Sequence, residues 1–280
     1  MTILRFLPSV LFLALTAGCD RNAGPEAEGN MVTNSQAASP VLPTPEPPLD
    51  RAALLLATAR AASAAAAGVS DLEAQRTLDG KPFAFALRFA CPGAASDVRA
   101  NIEERGTGED RTIRLTVRPD IGRDDPRLVH LVGTGAVEAA SGFSIRRPWL
   151  LTAACPAVPT ASPATAPAPA AEAAPPLQIA PASGQRIGLV QIFTVDDSRT
   201  GRRLERPYET VLTPQDSDGI AQSGFNLVLA GRLRAGPDGK VIRCSVSEPN
   251  RPPDCLILVR FDGIRMENPA SGALLAQWAD

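Results

Sequence analysis

Residues 156–176, PAVPTASPATAPAPAAEAAPP, are nearly all alanine and proline. Recurring proline blocks a helix, and side chains this small cannot build a packed core. A second tract, polar and punctuated by proline, runs from Asp20 to Leu49 through SPVLPTPEPP and has no aromatic residue. It buries too little apolar surface to offset the entropy of ordering, so it reads as a disordered tether. The foldable part of the 280-residue chain is therefore confined to residues 50–155 and, beyond an Ala/Pro-rich linker over 156–183, residues 184–280.

Within the first block, DRAALLLATARAASAAAAG predicts a helix from Asp50. Aspartate is a good N-cap, alanine and leucine are strong helix formers, and Gly68 stops the run. Leu49 and Leu54 are placed to form a hydrophobic staple, and SDLE at 70–73 fits a capping box for a second short turn. The period then changes to two. Phe83, Phe85, Leu87, Phe89 and Cys91 alternate through PFAFALRFAC, and Ile113, Leu115 and Val117 alternate through RTIRLTVRP; between them RANIEERGTGEDRT reads as a hairpin through a glycine-containing loop. RLVHLV and GFSIRRPWLL read as the remaining strands of this block.

After the linker, IGLVQIFTV, YETVLT, FNLVLAGRLRA, VIRCSVS and CLILVRFDGIRMEN are strand candidates, with AGPDGK as a tight turn. The expected class is mainly β: an N-terminal Ala-rich helix, then antiparallel β-rich modules of sandwich or barrel type. Several strands on each side of the linker favour two modules, 50–155 and 184–280. One sandwich or barrel drawing strands from both halves, with the Ala/Pro run looped out, is the competing arrangement.

The start of the chain has a different character. Arg5 precedes an apolar run from Phe6 to Leu15, followed by Thr16, Ala17, Gly18 and Cys19. This is the order of a secretory signal, and the run is short for a membrane span. LTAGC resembles the lipobox of bacterial prolipoproteins, with Thr16 where that family most often has leucine. The resemblance covers residues 1–19 alone. It implies cleavage of a signal peptide over 1–18, a diacylglyceryl thioether and an N-acyl chain at Cys19, and export to the periplasmic side of a cell membrane. Several acyl chains on one residue anchor stably, since each buried methylene contributes about 0.8 kcal/mol. Asp20 directly after the cysteine favours the inner membrane in some Gram-negative bacteria.

With Cys19 assigned to lipid, Cys91, Cys155, Cys244 and Cys255 remain. Four cysteines in an exported chain read as two disulfides with three pairings, of which neighbours in sequence are favoured. Cys244 and Cys255 flank the short loop EPNRPPD between two strands. A zinc site would need CxxC pairs or added histidines, and the chain has one histidine. Charge is nearly balanced, with 28 basic and 30 acidic residues, and predicts no attraction to nucleic acid.

Catalytic templates fit poorly. GTGAVE at 133–138 lacks the third glycine of a dinucleotide fingerprint, QDSDG at 215–219 lacks the flanking ligands of a calcium loop, and no GxSxG occurs. His130 alternates with Leu128 and Val132, as a structural histidine on a strand would. Asp124 with Asp125, and Asp196 with Asp197, fall in turn-like contexts. SRTGRRLERP gathers Arg199, Arg202, Arg203 and Arg206, the best local match to an anion or partner site, because guanidinium forks grip phosphates and carboxylates. Trp149 and Tyr208, in RRPW and ERPY, read as edge packing. The expectation is a lipid-anchored envelope protein acting as a non-catalytic binding or structural module, with an envelope protein or the cell wall as partner and no cofactor. The rivals are an envelope hydrolase using His130 and a carrier of apolar ligands lined by Phe83, Phe85 and Phe89.

Overall fold

A computed structural model describes residues 46–92, 97–133, 137–155, 186–198, 202–217, 219–246 and 251–279. The signal sequence, Cys19, nearly all of the tether, the Ala/Pro run and Arg199 lie outside them. The elements are α1 (Arg51–Ala66), α2 (Leu72–Arg76), β1 (Pro82–Phe89), β2 (Ala100–Arg105), β3 (Thr112–Val117), α3 (Pro126–Val132), β4 (Ala139–Ile145) and β5 (Ile187–Phe193), then β6 (Tyr208–Leu212), α4 (Ile220–Ser223), β7 (Phe225–Leu233), β8 (Ile242–Ser245), β9 (Asp254–Glu267) and β10 (Leu274–Ala279). The fold is mainly β, as the period-two runs require.

Local rules account for the first elements. The Asp50 carboxylate accepts from Ala53 N at 2.8 Å, and Gly68 takes a left-handed φ of +66° where α1 ends. The short α2 has Asp71 at its N-cap position, one residue later than the SDLE pattern implies, and that side chain makes no capping hydrogen bond. β1 buries Phe83, Phe85, Leu87 and Phe89 in strict alternation, and β3 does the same with Ile113, Leu115 and Val117. The end of the expected tether is docked on this scaffold: Leu49 N donates to Pro82 O, and Glu46 pairs with Lys81 at 2.7 Å.

Seven strands form one sheet along the path β1-β7-β9-β5-β4, with β8 and β10 also paired to β9, and β2-β3-β6 form a second. Strands from before and after the linker therefore interleave, and the described residues from 46 to 279 make a single compact unit. This corrects the expectation of separate modules over 50–155 and 184–280. The physical reason is β9, the longest strand, which needs partners on both edges along its length. Its first part lies between β8 and β5, and its later part between β7 and β10. All pairings are antiparallel except β5 with β9. Among the described residues the sheets do not close into a barrel.

The run CLILV at the start of β9 is buried on both faces. Cys255, Ile257 and Val259 join the main core with Leu54, Phe85 and Leu115, while Leu256 and Leu258 face a second cluster with Ile121, Leu128 and Val190. Gly188 makes this second layer possible: a Cβ there would collide with Ile121 Cδ1. Phe83 packs edge-on to Phe261 and Phe89 stacks on Phe225, with centroids 6.3 and 5.7 Å apart, so the phenylalanines proposed for an apolar carrier cavity are packed core instead.

One element changes type. RLVHLV is a helix, not a strand. Pro126 occupies the first turn, the Asp125 carboxylate caps Arg127 N at 2.8 Å, and Gly133 at φ +83° ends it. Terminus chemistry outweighs three residues of apparent alternation. On the helix Leu128 is buried and His130 is exposed.

Cys91 pairs with Cys155 and Cys244 with Cys255, with Sγ–Sγ separations of 2.18 and 2.04 Å. The second bond joins residues directly opposite in the β8–β9 register. The first ties the end of β1 to the chain that leaves β4.

Candidate functional site

After β4 the backbone turns sharply out of the sheet. Arg147 adopts φ +53°, an unfavourable region for a residue with a side chain, and Leu150 N closes the turn on Arg147 O at 3.0 Å. The turn leaves Trp149 63 % exposed, which corrects its reading as edge packing. Beside it opens a cleft of about 820 Å³, bounded by α3, the 146–149 turn and the starts of β5 and β9.

Two arginines in the cleft are neutralised in place. Arg127 grips Asp125 through Nε at 3.0 Å and Nη2 at 2.7 Å, and Arg186 grips Asp254 at 2.9 and 2.5 Å. Burial, the largest single effect, pushes the Asp125 carboxyl up, but the hydrogen bonds and charge of Arg127 and the backbone N–H groups of Arg127 and Leu128 together hold it below its usual range. Arg146 reaches Asp97 at 3.1 Å, but Asp97 is already held bidentately by Arg99. Arg147 has no carboxylate within ion-pair distance among the described residues; its Nη2 lies 3.4 Å from Cys91 Sγ. The unbalanced charge of the cleft thus sits beside the exposed indole.

Behind this turn lies a small pocket of about 10 Å³, a nest whose lining includes five arginines, Arg51, Arg88, Arg99, Arg146 and Arg147. Arg51 is 8 % exposed and donates to four carbonyls: Leu150 O (2.8 Å), Ala86 O (3.2 Å), Arg147 O (3.2 Å) and Arg146 O (3.3 Å). It also lies over the Phe85 ring at 4.8 Å. In this way it fastens the free edge of β1 to the 146–150 turn, where no further strand pairs. Burial, and then the charge of Arg147, lower its pKa to about 10. Burial lowers Arg88 and Arg147 as well. Arg99 spans the nest, bonding Asp97, Asp120 and Ser144 O.

His130, Ser144 and Asp125 line the same cleft, and they are the residue types of a hydrolytic triad. Their bonds run elsewhere. Both Asp125 oxygens face Arg127, the Ser144 hydroxyl accepts from Arg127 Nη2 at 3.0 Å, and no hydrogen bond among the described residues joins His130 to either.

The arginine loop expected to grip an anion is organised differently. Arg202, with 6 % of its side chain exposed, pairs with Glu138 at 3.0 Å, donates to Ser198 O, Asp197 O and Thr194 O, and lies over Phe193. Arg203 lies over Tyr208 and Trp278 and donates to Pro207 O. Both hold the loop to the body, which corrects their assignment to a binding site. Arg206 is exposed beside a second cleft of about 680 Å³ that mixes Arg123 with Asp124 and Glu205. Tyr208 is buried against Phe143 and Trp278.

The carboxylate pairs also have local partners. Asp197 accepts from Thr194 N (2.6 Å) and Oγ1 (2.9 Å), which lowers its pKa, and Asp216 accepts from Thr213 Oγ1 at 2.7 Å. Asp218 lies outside the described residues. So do residues 134–136 of GTGAVE. No cluster of three or more His, Cys, Asp or Glu suited to a metal occurs among the described residues, and no helix there is long and apolar enough to cross a membrane.

Sequence reading missed the nest because its members are scattered from position 51 to 147. One signal was present: Arg51 begins α1, where a cation opposes the helix dipole and so needs another reason to be there. No protein-family model matches the chain, and no similar protein emerges among curated proteins or solved structures.

Proposed function

We propose that this chain is an exported, lipid-anchored protein of the bacterial cell envelope, moored through Cys19, whose folded unit is a non-catalytic binding module. The cleft beside Trp149 is its recognition surface, for a partner within the envelope. The observation that carries the reading is Trp149 itself: a large indole left 63 % exposed on a turn of unfavourable backbone geometry, next to guanidinium charge that lacks a full counter-charge. Aromatic and arginine side chains are the residue types that dominate recognition surfaces.

Two disulfides support an oxidising compartment, in keeping with the LTAGC leader. A tether of about 30 residues gives a reach on the order of 30 Å if flexible, enough to stand the module off a bilayer surface. The test has two arms. Palmitate should label the wild type and not Cys19→Ala. A photo-crosslinker at position 149 in the intact envelope should give a discrete adduct that weakens in Arg147→Gly and persists in His130→Ala. An unlabelled wild type removes the anchor, and an adduct or phenotype that depends on His130 alone replaces the binding module with a hydrolase.

A further inference from the structure

We infer that the Cys91–Cys155 bond is a thiol–disulfide exchange site: a dithiol reductant opens it at Cys155, and Arg147 receives Cys91 as a thiolate. Cys244–Cys255 is the bond that stays closed. The inference does not rest on the lipid anchor or on what the cleft binds.

The two bonds have similar exposure and opposite electrostatics. Each joins a buried sulfur, Cys91 at 8 % or Cys255 at 0 % exposed, to a half-buried one, Cys155 or Cys244. In each, an external thiolate reaches the half-buried sulfur and expels the buried one, so the rate depends on how well the buried sulfur carries negative charge. Cys255 would have to carry it within the main apolar core, where a thiolate is disfavoured. Cys91 Sγ instead lies 3.4 Å from Arg147 Nη2. Burial and the neighbouring Arg146 disfavour the Arg147 charge, and Arg51 in turn feels it. The carboxylate that supports it, Asp97, is not within ion-pair distance and is already shared by Arg99 and Arg146. A thiolate at Cys91 supplies the missing partner.

The backbone holds this contact independently of the bond. Among the described residues three other than glycine take a positive φ, and two of them flank the contact: Ala90, directly before Cys91, at +54°, and Arg147 at +53°. Such conformations are disfavoured, persist where the surroundings impose them, and gather at functional sites. Gly224 makes room for the first, since a Cβ there would collide with Phe89 O and Ala90 O, and Arg51 holds the second through Arg146 O and Arg147 O. Neither hold requires the disulfide, so Arg147 still faces Cys91 when the bond opens. The attacked sulfurs also differ in setting. Cys155 follows the exposed Leu151, Thr152 and Ala154 in a segment with neither helix nor strand, whereas Cys244 sits in a paired strand directly opposite Cys255.

One thiolate of the reductant bonds to Cys155 Sγ as the Cys155–Cys91 bond breaks, and the bonding pair leaves on Cys91 Sγ, which stays deprotonated beside Arg147. The second thiolate of the reductant then attacks the reductant's own sulfur in the mixed disulfide; Cys155 leaves and takes up a proton. The reductant is oxidised by two electrons to its cyclic disulfide, and the protein's disulfide is reduced by two.

The experiment uses the full-length oxidised protein in detergent, incubated with dithiothreitol at pH 7, quenched at intervals in acid, denatured, alkylated and read by peptide mass spectrometry. Cys91 and Cys155 should become alkylated roughly tenfold or more faster than Cys244 and Cys255. Arg147→Gln should remove most of that difference without changing the Cys244–Cys255 rate, and Arg147→Lys should keep much of it. Arg147→Gly, whose backbone geometry suits glycine, serves as a second variant should the glutamine form misfold, and it should behave in the same way. With glutathione, a monothiol, the trapped mixed disulfide should sit on Cys155. Equal rates for the two bonds overturn the site, as does a preference that survives both Arg147→Gln and Arg147→Gly, or a glutathione adduct carried by Cys91. No partner takes part in this assay, so slow exchange with an intact position-149 adduct leaves the cleft reading standing, and fast exchange with a lost adduct leaves this one.

Discussion

Replacing Arg51 with methionine should cost the fold about 3–5 kcal/mol. The guanidinium donates to four carbonyls, two of them sharing Nη2, so it makes roughly three full charge-assisted bonds. At about 1.5–3 kcal/mol each, their gross loss is about 5–9 kcal/mol. Methionine keeps the contact with Phe85 and no longer needs the desolvation of a cation, a saving of several kcal/mol that leaves the net figure above. In a unit of this size each kcal/mol moves Tm by about 2–4 °C, so Arg51→Met should melt about 6–20 °C below the wild type. Urea unfolding with both disulfides intact gives the free energy directly. Amide exchange gives the location, because the outer edge of β1 and the 146–150 turn should lose protection before the β7–β9 centre. Arg51→Lys, retaining charge without the planar fork, should fall between the two. A loss below about 1 kcal/mol for Arg51→Met would show that the four carbonyls are as well served by water and would refute the role given to this residue.

Removing the cross-strand bond by Cys244→Ser with Cys255→Ser should cost about 3 kcal/mol on the chain-entropy estimate, and removing Cys91–Cys155, which closes a longer loop, about 4 kcal/mol; urea melts of the two double mutants test the order. Burial of Asp97 opposes its ionisation, but the Arg99 hydrogen bonds and the charges of Arg99 and Arg146 together hold its carboxyl below the ordinary value. The stability this supplies is present above the unfolded pKa of about 3.9 and lost as pH falls through the lower folded value, so Asp97→Asn should flatten the acid limb of a stability–pH curve below pH about 4 and lower the plateau at pH 7. Trp149→Ala should leave stability within about 0.5 kcal/mol of wild type, since the indole is exposed, while reducing retention on whatever the cleft binds; a large drop in Tm would instead make Trp149 a packing residue.

Features set within a few residues are legible in the amino-acid sequence. Asp50 with the alanine-rich run and Gly68, the alternation of Phe83, Phe85, Leu87 and Phe89, and the hairpin around β2 and β3 all follow from caps, propensity and period. α3 shows two local rules in conflict. Leu128, His130 and Val132 alternate as a strand would, but Pro126, the Asp125 cap and Gly133 fix the backbone at both ends, and the cap won. The tail LLAQWA of β10 carried no signal above its surroundings and became a strand only because β9 offered it an edge.

By itself, then, the sequence determined the class of fold and the cysteine pairs that could meet. Only the tertiary structure decided that β1 pairs with β7 across more than a hundred residues, that both halves share one core, and that Arg51 fastens the edge of β1 to the 146–150 turn while Arg202 and Arg203 serve the loop that carries them. The physical reason is range. Caps, turns and alternation act over a few bonds of the chain, whereas the surroundings of a charge depend on which distant strands become neighbours, and that follows from burying the whole apolar surface at once.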